Sequence, residues 1–419
     1  MGIRAGSGGL RTLATAVAVL MHVWLWAGAA AGETASATRA SLSGDQHRTT
    51  FQLDLTVGVP AEIYTLANPY RVIVDLPDVE FRLPDGTGQD GGGLVRTFRY
   101  GLFAEGKARV VLDTTGPVRI ERAAMTAATG GKGIVFAFDM VTTDPASFGL
   151  GTGADKAAED APEKAPPAGP PDDKPKRTGK AVIMIDPGHG GIDGGAVSAS
   201  SLLEKDVVLA VGKELGRQLA ASGRYDVHMT RSSDVFVSLD QRLNLSAKHG
   251  VDLFISLHAD SLAVEAEAQA VRGATIYTLS ERASDEQARR MAEKENASDL
   301  IAGINVVDGP DDDEVKSILF DLMKRETANF SADFSNTLVH KLKSAKALSR
   351  VPQRAAAFKV LKQTHAPSVL IELGYLSNPE DEKLLNSTAW RKKIAASITT
   401  AIDDYFSKRT ASSPGLSRK

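Results

Sequence analysis

The sequence predicts an α/β catalytic domain, with a mixed, mostly parallel sheet flanked by helices, joined to a small all-β sandwich domain. Two observations lead to this prediction. Residues 33–145 contain short runs of alternating apolar residues separated by Gly, Pro and Asp, as in a small sandwich. From residue 180 onward, strand-like and helix-like patterns alternate, as they do in α/β domains. A chain of 419 residues is also too long for one ordinary core.

The first 31 residues have the pattern of a secretory signal peptide. Two arginines precede the apolar run Leu13–Leu20, and Ala29–Ala31 offers a cleavage site. The alternative is an N-terminal membrane anchor, which the shortness of the run and its interruption by His22 and Gly28 disfavour. We therefore expect an exported protein with no stable membrane insertion.

The region 33–145 is predicted to be β throughout. Its strand-like runs are Thr49–Val57, Arg71–Leu76, Arg109–Asp113 and Ile134–Phe138. Residues 146–179 are rich in Ala, Pro, Asp and Lys and cannot bury enough apolar area to offset the entropy of ordering. They are predicted to be a disordered linker, and residues 408–419 a flexible tail.

The catalytic domain is predicted to span residues 180–407. The expected strands are 181–186, 225–230, 252–257, 273–279 and 368–373, and the clearest helices between them are Val207–Ala221 and Leu239–His249. Chemistry in such sheets gathers at the carboxyl ends of the strands, because parallel strands end at one edge. His189, His258 and Glu372 follow or end three of these strands, so we expect them to lie together.

The pattern of histidines and carboxylates predicts a metal site. The chain has no cysteine, so His, Asp and Glu are the available ligands. His189, Glu204 and His258 supply the two imidazoles and one carboxylate that a hydrolytic zinc site uses, with one position left for water. Asp186 and Asp193 are expected to accept hydrogen bonds that orient His189. One Zn²⁺ per catalytic domain is therefore predicted.

Glu372 is predicted to be the catalytic base. It stands within the apolar strand pattern Ser368–Leu373, where a buried acid needs a partner or becomes protonated. A water molecule at the metal would be that partner, and Glu372 would take its proton and pass it to a leaving amine.

In these residues the chain resembles the zinc-dependent N-acetylmuramoyl-L-alanine amidases, specifically periplasmic cell-division amidases of the amidase_3 type with an N-terminal AMIN domain. The matching motifs are Ile185–Gly191, Glu204-Lys205, Thr230-Arg231, Leu239–Arg242, Phe254–Asp260, Val369–Glu372 and Leu376–Asn378. Asp260 departs from the family pattern, because many relatives carry asparagine there, and little consequence is expected. A weaker match over Asn68–Leu76, and over Arg96–Arg99 with Arg109–Asp113, relates the β region to the AMIN localisation domain.

The resemblance implies a function and a cellular setting. The zinc ligands would be His189, Glu204 and His258, and Glu372 would be catalytic. The enzyme would hydrolyse the amide between N-acetylmuramic acid and L-alanine in septal peptidoglycan, in the periplasm of a Gram-negative bacterium. Its β domain would bind peptidoglycan and recruit the enzyme to the division septum.

The net charge of −3 gives no basic surface field that would attract nucleic acid. A monomer is expected.

The segment of about 281–326 is long for a connection and is predicted to be an autoinhibitory helical insert. Ser284 and Gln287 form a capping-box pattern at the start of its first helix. On a helical wheel, Glu295 lies in the middle of an apolar stripe formed by Ala288, Met291, Ala292 and Ala302.

Glu295 is therefore predicted to occupy the open zinc position. The alternatives are Glu293, Glu281 or an acid at a helix edge with no such role. The resemblance supports a self-inhibiting helix that a LytM-domain activator displaces. Ile318–Met323 is either part of an activator-docking helix or core.

Two other functions stay open at this point. One is a wall-binding septal protein with a silent catalytic domain, and the other is a metallo-carboxypeptidase acting on the same polymer.

Overall fold

The computed structural model describes residues 34–129, 131–148, 179–262, 270–304, 318–344, 347–363 and 365–412. The predicted signal peptide and nearly all of the predicted linker lie outside these residues. So do the side chains of Ile318–Met323, the predicted docking helix. Among the described helices, none is long and apolar enough to cross a membrane.

The N-terminal region folds as two packed antiparallel sheets with one short parallel strand at an edge. Its strands are β1 (Ala35–Gly44), β2 (Arg48–Leu55), β3 (Glu62–Leu66), β4 (Arg71–Pro77), β5 (Val79–Phe81), β6 (Val95–Ala104), β7 (Lys107–Thr114), β8 (Val118–Ala127) and β9 (Ile134–Thr142). The sheets have the orders β5-β1-β2-β9-β8 and β3-β4-β7-β6. Their inner faces share one core around Phe51, Phe98 and Phe138. The predicted β sandwich is confirmed, and this unit is called the β domain below.

The C-terminal region is built on a six-stranded sheet. Its strands are β10 (Ala181–Pro187), β11 (Tyr225–Met229), β12 (Leu253–His258), β13 (Ala274–Leu279), β14 (Leu348–Ala356) and β15 (Ser368–Glu372), in the order β11-β10-β12-β15-β13-β14. All neighbours are parallel except β13 and β15. The predicted mixed, mostly parallel sheet is confirmed. The edge strand β14 was not predicted, because its polar residues do not form an apolar pattern.

Helices cover both faces of this sheet. They are α1 (Glu204–Ala221), α2 (Leu239–His249), α3 (Glu286–Asn296), α4 (Ser298–Ile301), α5 (Ile318–Ser344), α6 (Pro379–Leu385) and α7 (Thr388–Ser412). Alternate residues of a strand point to opposite faces. Ile183 and Ile185 therefore pack with α1, α5 and α7, whereas Val182 and Met184 pack with α2 and α3. The last helix runs to Ser412, into the segment that was predicted to be a flexible tail.

The start of α3 differs from the predicted capping box. Asp285, not Ser284, is the N-cap, and its carboxylate accepts a hydrogen bond from the Ala288 amide (3.0 Å). The Ser284 hydroxyl instead accepts from the amide of Ala355 on β14 (3.2 Å). The prediction was wrong by one residue, because the neighbouring strand competes for the serine.

The β domain lies directly against the α/β domain. The Ile192 amide donates to the carbonyl of Leu102 on β6 (3.1 Å). The rings of Phe103 and Phe236 stack with their centroids 5.8 Å apart. A small apolar cluster contains residues from both domains, including Ile73 and Ile192. The two domains therefore share a packed interface.

Candidate active site

Two strand ends deliver the two histidines. His258 is the last residue of β12, and His189 follows β10 in the glycine-rich turn. His189 has a φ of +56°, a left-handed conformation that few residues other than glycine adopt. Such strained backbone is concentrated at functional sites. The two rings lie nearly perpendicular, with their centroids 4.9 Å apart.

Two carboxylates meet these histidines. Oε1 of Glu204, the first residue of α1, lies 3.2 Å from His189 Nε2 and 3.2 Å from His258 Nδ1. Oε2 of Glu295, near the end of α3, lies 3.4 and 3.2 Å from the same two nitrogens. The structure thus brings together the three predicted zinc ligands and the predicted inhibitory glutamate. Donor atoms of His189, His258 and Glu295 all lie within 4.8 Å of one another.

The unpartnered atoms of this cluster fit a zinc ion. In the part of the chain that the structure describes, His189 Nε2, Glu295 Oε1 and Glu372 Oε1 are buried without a hydrogen-bond partner. Buried polar atoms are normally paired, so a group of unpaired polar atoms in one place indicates a binding site. Imidazole nitrogen and carboxylate oxygen are donors that zinc prefers. His189, Glu204 and His258 could therefore hold zinc, with Glu295 beside them.

Asp193 orients His189 as predicted. Its Oδ2 lies 2.9 Å from His189 Nδ1, and its Oδ1 accepts from the Gly195 amide (3.1 Å). This contact leaves Nε2 of the ring directed at the cluster. Asp186 was predicted to help but does not contact His189. It accepts hydrogen bonds from Thr230 (2.6 Å) and Ser256 (2.7 Å) on adjacent segments and pairs with Arg242.

Two buried arginines hold the turn that carries His189. Arg242 donates to the carbonyls of Pro187 and His189, each at 2.9 Å. Arg231 donates to the carbonyls of Pro187 (2.9 Å) and Gly188 (2.8 Å). Both side chains are buried, and neither forms an ion pair at the surface of a helix. The missed signal for Arg242 is its spacing from Leu239 and Ser246, which places it on the buried face of α2.

Glu372 lies beside the cluster at the end of β15 and is fully buried. Its Oε2 accepts a hydrogen bond from the Asp260 amide (3.0 Å), and its Oε1 is free. Burial, together with the nearby carboxylates of Asp260 and Glu204, raises the pKa of Glu372 well above its usual value. A carboxyl group with a raised pKa holds a proton more readily, which suits a residue that must accept a proton and return it.

The other charges of the cluster shift in the directions expected of a compact ionic site. Burial by itself would lower the pKa of His189, but neighbouring carboxylates raise it well above its usual value. Burial by itself would raise the pKa of Glu204, but the two histidines lower it well below its usual value. For Glu295, burial outweighs the histidines and raises the pKa.

The helix α3 closes the site. Ala288, Met291, Ala292 and Glu295 form its buried face, which confirms the predicted stripe over these residues. Glu293 pairs with Arg289 and is 61% exposed, and Glu281 is exposed, so neither alternative reaches the cluster. The cavity that remains against His189, His258 and Glu295 has a volume of about 10 Å³, room for about one water molecule.

A second contact ties α3 to the catalytic region. Lys294 forms an ion pair with Asp260, the residue whose amide holds Glu372. The aspartate at position 260 was expected to have little consequence, but its carboxylate anchors the residue next to Glu295. At the same end of α3, Asn296 donates to the Ala357 carbonyl (2.9 Å) and accepts from the Lys359 amide (2.7 Å).

The comparison with known proteins agrees with this geometry. Residues 183–404 match the sequence profile of the N-acetylmuramoyl-L-alanine amidases of the Amidase_3 family, which is more than half of the chain. The chain belongs to this family. It is an N-acetylmuramoyl-L-alanine amidase, an enzyme of cell-wall peptidoglycan. Residues 41–138 match the AMIN domain, so the β domain of the amidase is an AMIN domain.

Named relatives cover most of the amidase. N-acetylmuramoyl-L-alanine amidase AmiA of Salmonella typhimurium is 40% identical over 235 residues, 56% of this chain and 79% of that protein. The amidase AmiC of Escherichia coli O6:H1 is 31% identical over 355 residues, 82% of this chain and 83% of that protein. The second alignment is too long to lie within the catalytic domain alone, so it extends into the AMIN region.

The glycine before His189 provides a test of the site. A Cβ atom at Gly188 would lie 2.4 Å from Cε1 of His258, so Gly188→Ala must displace that ring. We expect zinc affinity to fall roughly 10- to 100-fold, the usual cost of disturbing the support of a metal ligand. The measurement is a zinc titration against a chelating competitor.

Gly216→Ala is the matched control. A Cβ atom there would meet Ile185 Cδ1 at 3.6 Å, an ordinary contact, and alanine also favours the helix. Equal zinc affinity in the two variants would contradict the assignment of His258 as a ligand.

Proposed function

We propose that the amidase holds one zinc ion through His189, Glu204 and His258 and hydrolyses the bond between N-acetylmuramic acid and L-alanine. The observation that supports this is the convergence of two imidazoles and a carboxylate of low pKa, beside a free oxygen of Glu372. A bound zinc ion would polarise the substrate carbonyl and lower the pKa of a water molecule.

Glu372 moves the proton in this proposal. Its free Oε1 accepts a proton from the attacking water while the water oxygen bonds to the lactyl carbonyl carbon. The carbon–nitrogen bond then breaks, and Glu372 returns the proton to the departing amine of L-alanine. The hydrogen bond from the Asp260 amide to Oε2 keeps Oε1 directed into the site throughout.

In this proposal the enzyme is autoinhibited until a partner acts on it. Glu295 takes the position next to both histidines that substrate and water need, and α3 fills the space above it. A partner must therefore remove α3 before peptidoglycan can bind. By its resemblance to the cell-division amidases, that partner would be a LytM-domain activator.

The cellular setting follows the same resemblance. The amidase would leave the cytoplasm by its signal peptide and act in the periplasm of a Gram-negative bacterium. Its AMIN domain would bind peptidoglycan and bring it to the septum, where cleavage of the wall separates daughter cells.

Product analysis tests this function. Purified amidase with Glu295→Ala and added zinc should release intact stem peptides from peptidoglycan, and a chelator should abolish the release until zinc is restored. Release of single amino acids would instead show a carboxypeptidase. Absence of any product, with zinc bound and activator present, would favour a wall-binding protein with a silent catalytic domain.

A further inference from the structure

Three arginines of the AMIN domain donate hydrogen bonds to residues 300–302, at the end of the inhibitory segment that begins with α3. Arg71 Nη1 donates to the Leu300 carbonyl (2.5 Å), and Arg99 Nε donates to the Ile301 carbonyl (3.0 Å). Arg109 Nη1 donates to the Ala302 carbonyl (3.0 Å). These arginines come from β4, β6 and β7, which are adjacent in one sheet. One sheet of the AMIN domain thus donates hydrogen bonds to three consecutive carbonyls of the insert.

The contact provides hydrogen-bond partners to both surfaces. The last carbonyls of a helix lack partners within it, and Leu300 and Ile301 are the last residues of α4. The Leu300 carbonyl also accepts from the Gly303 amide (3.0 Å). Arg71 and Arg109 are 1% and 3% exposed, and buried guanidinium groups need acceptors. Hydrogen bonds from a charged donor are among the stronger ones in proteins. Separation of the two surfaces would therefore remove one hydrogen-bond acceptor from each of the three arginines until water replaced it, although Arg109 would keep its ion pair with Asp75.

Apolar packing fits the same two surfaces together. Ala302 is fully buried in the cluster that contains Ile73 and Val111 of the AMIN domain. Gly303 follows with a φ of +75°, and a Cβ atom there would lie 2.7 Å from Ile73 Cδ1. The backbone of the insert therefore lies directly on the AMIN sheet at residues 302–303.

The residues that these arginines contact are close in sequence to Glu295. Glu295 lies five residues before Leu300, and only Ala297 separates α3 from α4. Asp299 also accepts a hydrogen bond from the amide of Leu239, the first residue of α2 (3.0 Å). The segment 297–303 therefore lies between the AMIN domain and the catalytic domain and contacts both.

We propose that the AMIN domain helps to hold the inhibitory segment in place. Hydrogen bonds from Arg71, Arg99 and Arg109 to residues 300–302 would keep Glu295 in the site, and these contacts are called the lock below. The regulatory meaning of this lock rests on the proposed function. Opening of the active site then requires the AMIN surface to release the insert, so the position of the AMIN domain controls access to the catalytic centre.

The test compares two arginines of one strand in the full chain. Arg99→Ala removes the hydrogen bond to the Ile301 carbonyl and also the ion pair of Arg99 with Asp113 (2.6 Å), which lies within the AMIN domain. Asp113 keeps its hydrogen bond from Thr97 (3.2 Å). Arg96→Ala is the matched control, because Arg96 is exposed and, among the residues that the structure describes, its side chain hydrogen-bonds only to the Thr115 carbonyl (3.4 Å). Hydrogen–deuterium exchange of residues 286–303 is the readout. Arg99→Ala should speed exchange about tenfold through α3 and α4, the usual effect of losing one charge-assisted hydrogen bond, and Arg96→Ala should not.

A second variant tests the same surface from the insert. Ala302→Arg puts a positive charge against the three arginines and should speed exchange in α3 and α4 at least as much. Unchanged exchange in both variants, or faster exchange in α4 with α3 still protected, would overturn the lock.

Exchange does not depend on catalysis, so the two proposals can fail separately. Faster exchange without wall hydrolysis would support the lock and contradict the proposed function. In a functional amidase, both variants should also raise hydrolysis in the absence of activator.

Discussion

Replacing Glu295 by alanine should raise the basal hydrolysis of peptidoglycan, without any activator, by roughly 100-fold. The carboxylate lies 3.4 and 3.2 Å from the two histidine nitrogens and is 5% exposed, so its removal deletes a buried charge contact. Loss of such a contact costs on the order of 3 kcal/mol, about two powers of ten in the population of the open form. The measurement is dye release from labelled peptidoglycan by the zinc-loaded full chain.

The control for this experiment lies on the same helix. Glu293→Ala removes an equal charge from the exposed face of α3, where the carboxylate contacts only Arg289 among the described residues. It should leave basal hydrolysis unchanged. If Glu295→Ala behaves like Glu293→Ala, then Glu295 does not block the site.

Replacing Glu372 by glutamine should reduce hydrolysis by about 10²- to 10⁴-fold, the range that general acid–base catalysis contributes. Glutamine has the same shape, and its carbonyl oxygen can still accept from the Asp260 amide, but it cannot carry the proton. The variant should be made in the Glu295→Ala background, so that the starting rate is high. Zinc content and thermal stability should be retained, which metal analysis and calorimetry would show.

Glu380→Gln is a suitable control, because Glu380 lies on α6 with its side chain 60% exposed and pairs only with Lys383 among the described residues. It should hydrolyse peptidoglycan at the parent rate. Hydrolysis retained in Glu372→Gln would remove Glu372 from the role of proton carrier.

The sequence was sufficient to predict the gathering of His189, His258 and Glu372. Each stands at or just after the end of an apolar strand, and parallel strands end at one edge of a sheet. The place of Glu295 could be predicted because a helix has a fixed period, which put this acid in the middle of an apolar stripe. Both predictions depend on local patterns that a single sequence shows directly.

Other features depend on contacts between distant residues and could not be predicted. Nothing in the sequence pairs Lys294 with Asp260, or sets Arg99 against Ile301, 202 positions away. Asp186 was assigned to His189 because the two are close in sequence. Its strand instead directs the carboxylate to Thr230 and Ser256, which the fold brings near.

The ion pair of Asp260 with Lys294 bears on what happens after activation. If α3 leaves the site as proposed, the carboxylate of Asp260, which is 1% exposed with α3 in place, would lose its cation. An unpaired buried charge is unfavourable, and α3 remains covalently attached through β13 at a high effective concentration. Departure of the activator should therefore let the helix return by itself. Inhibition would then be restored after each activation, whereas a zymogen is activated once, by proteolysis.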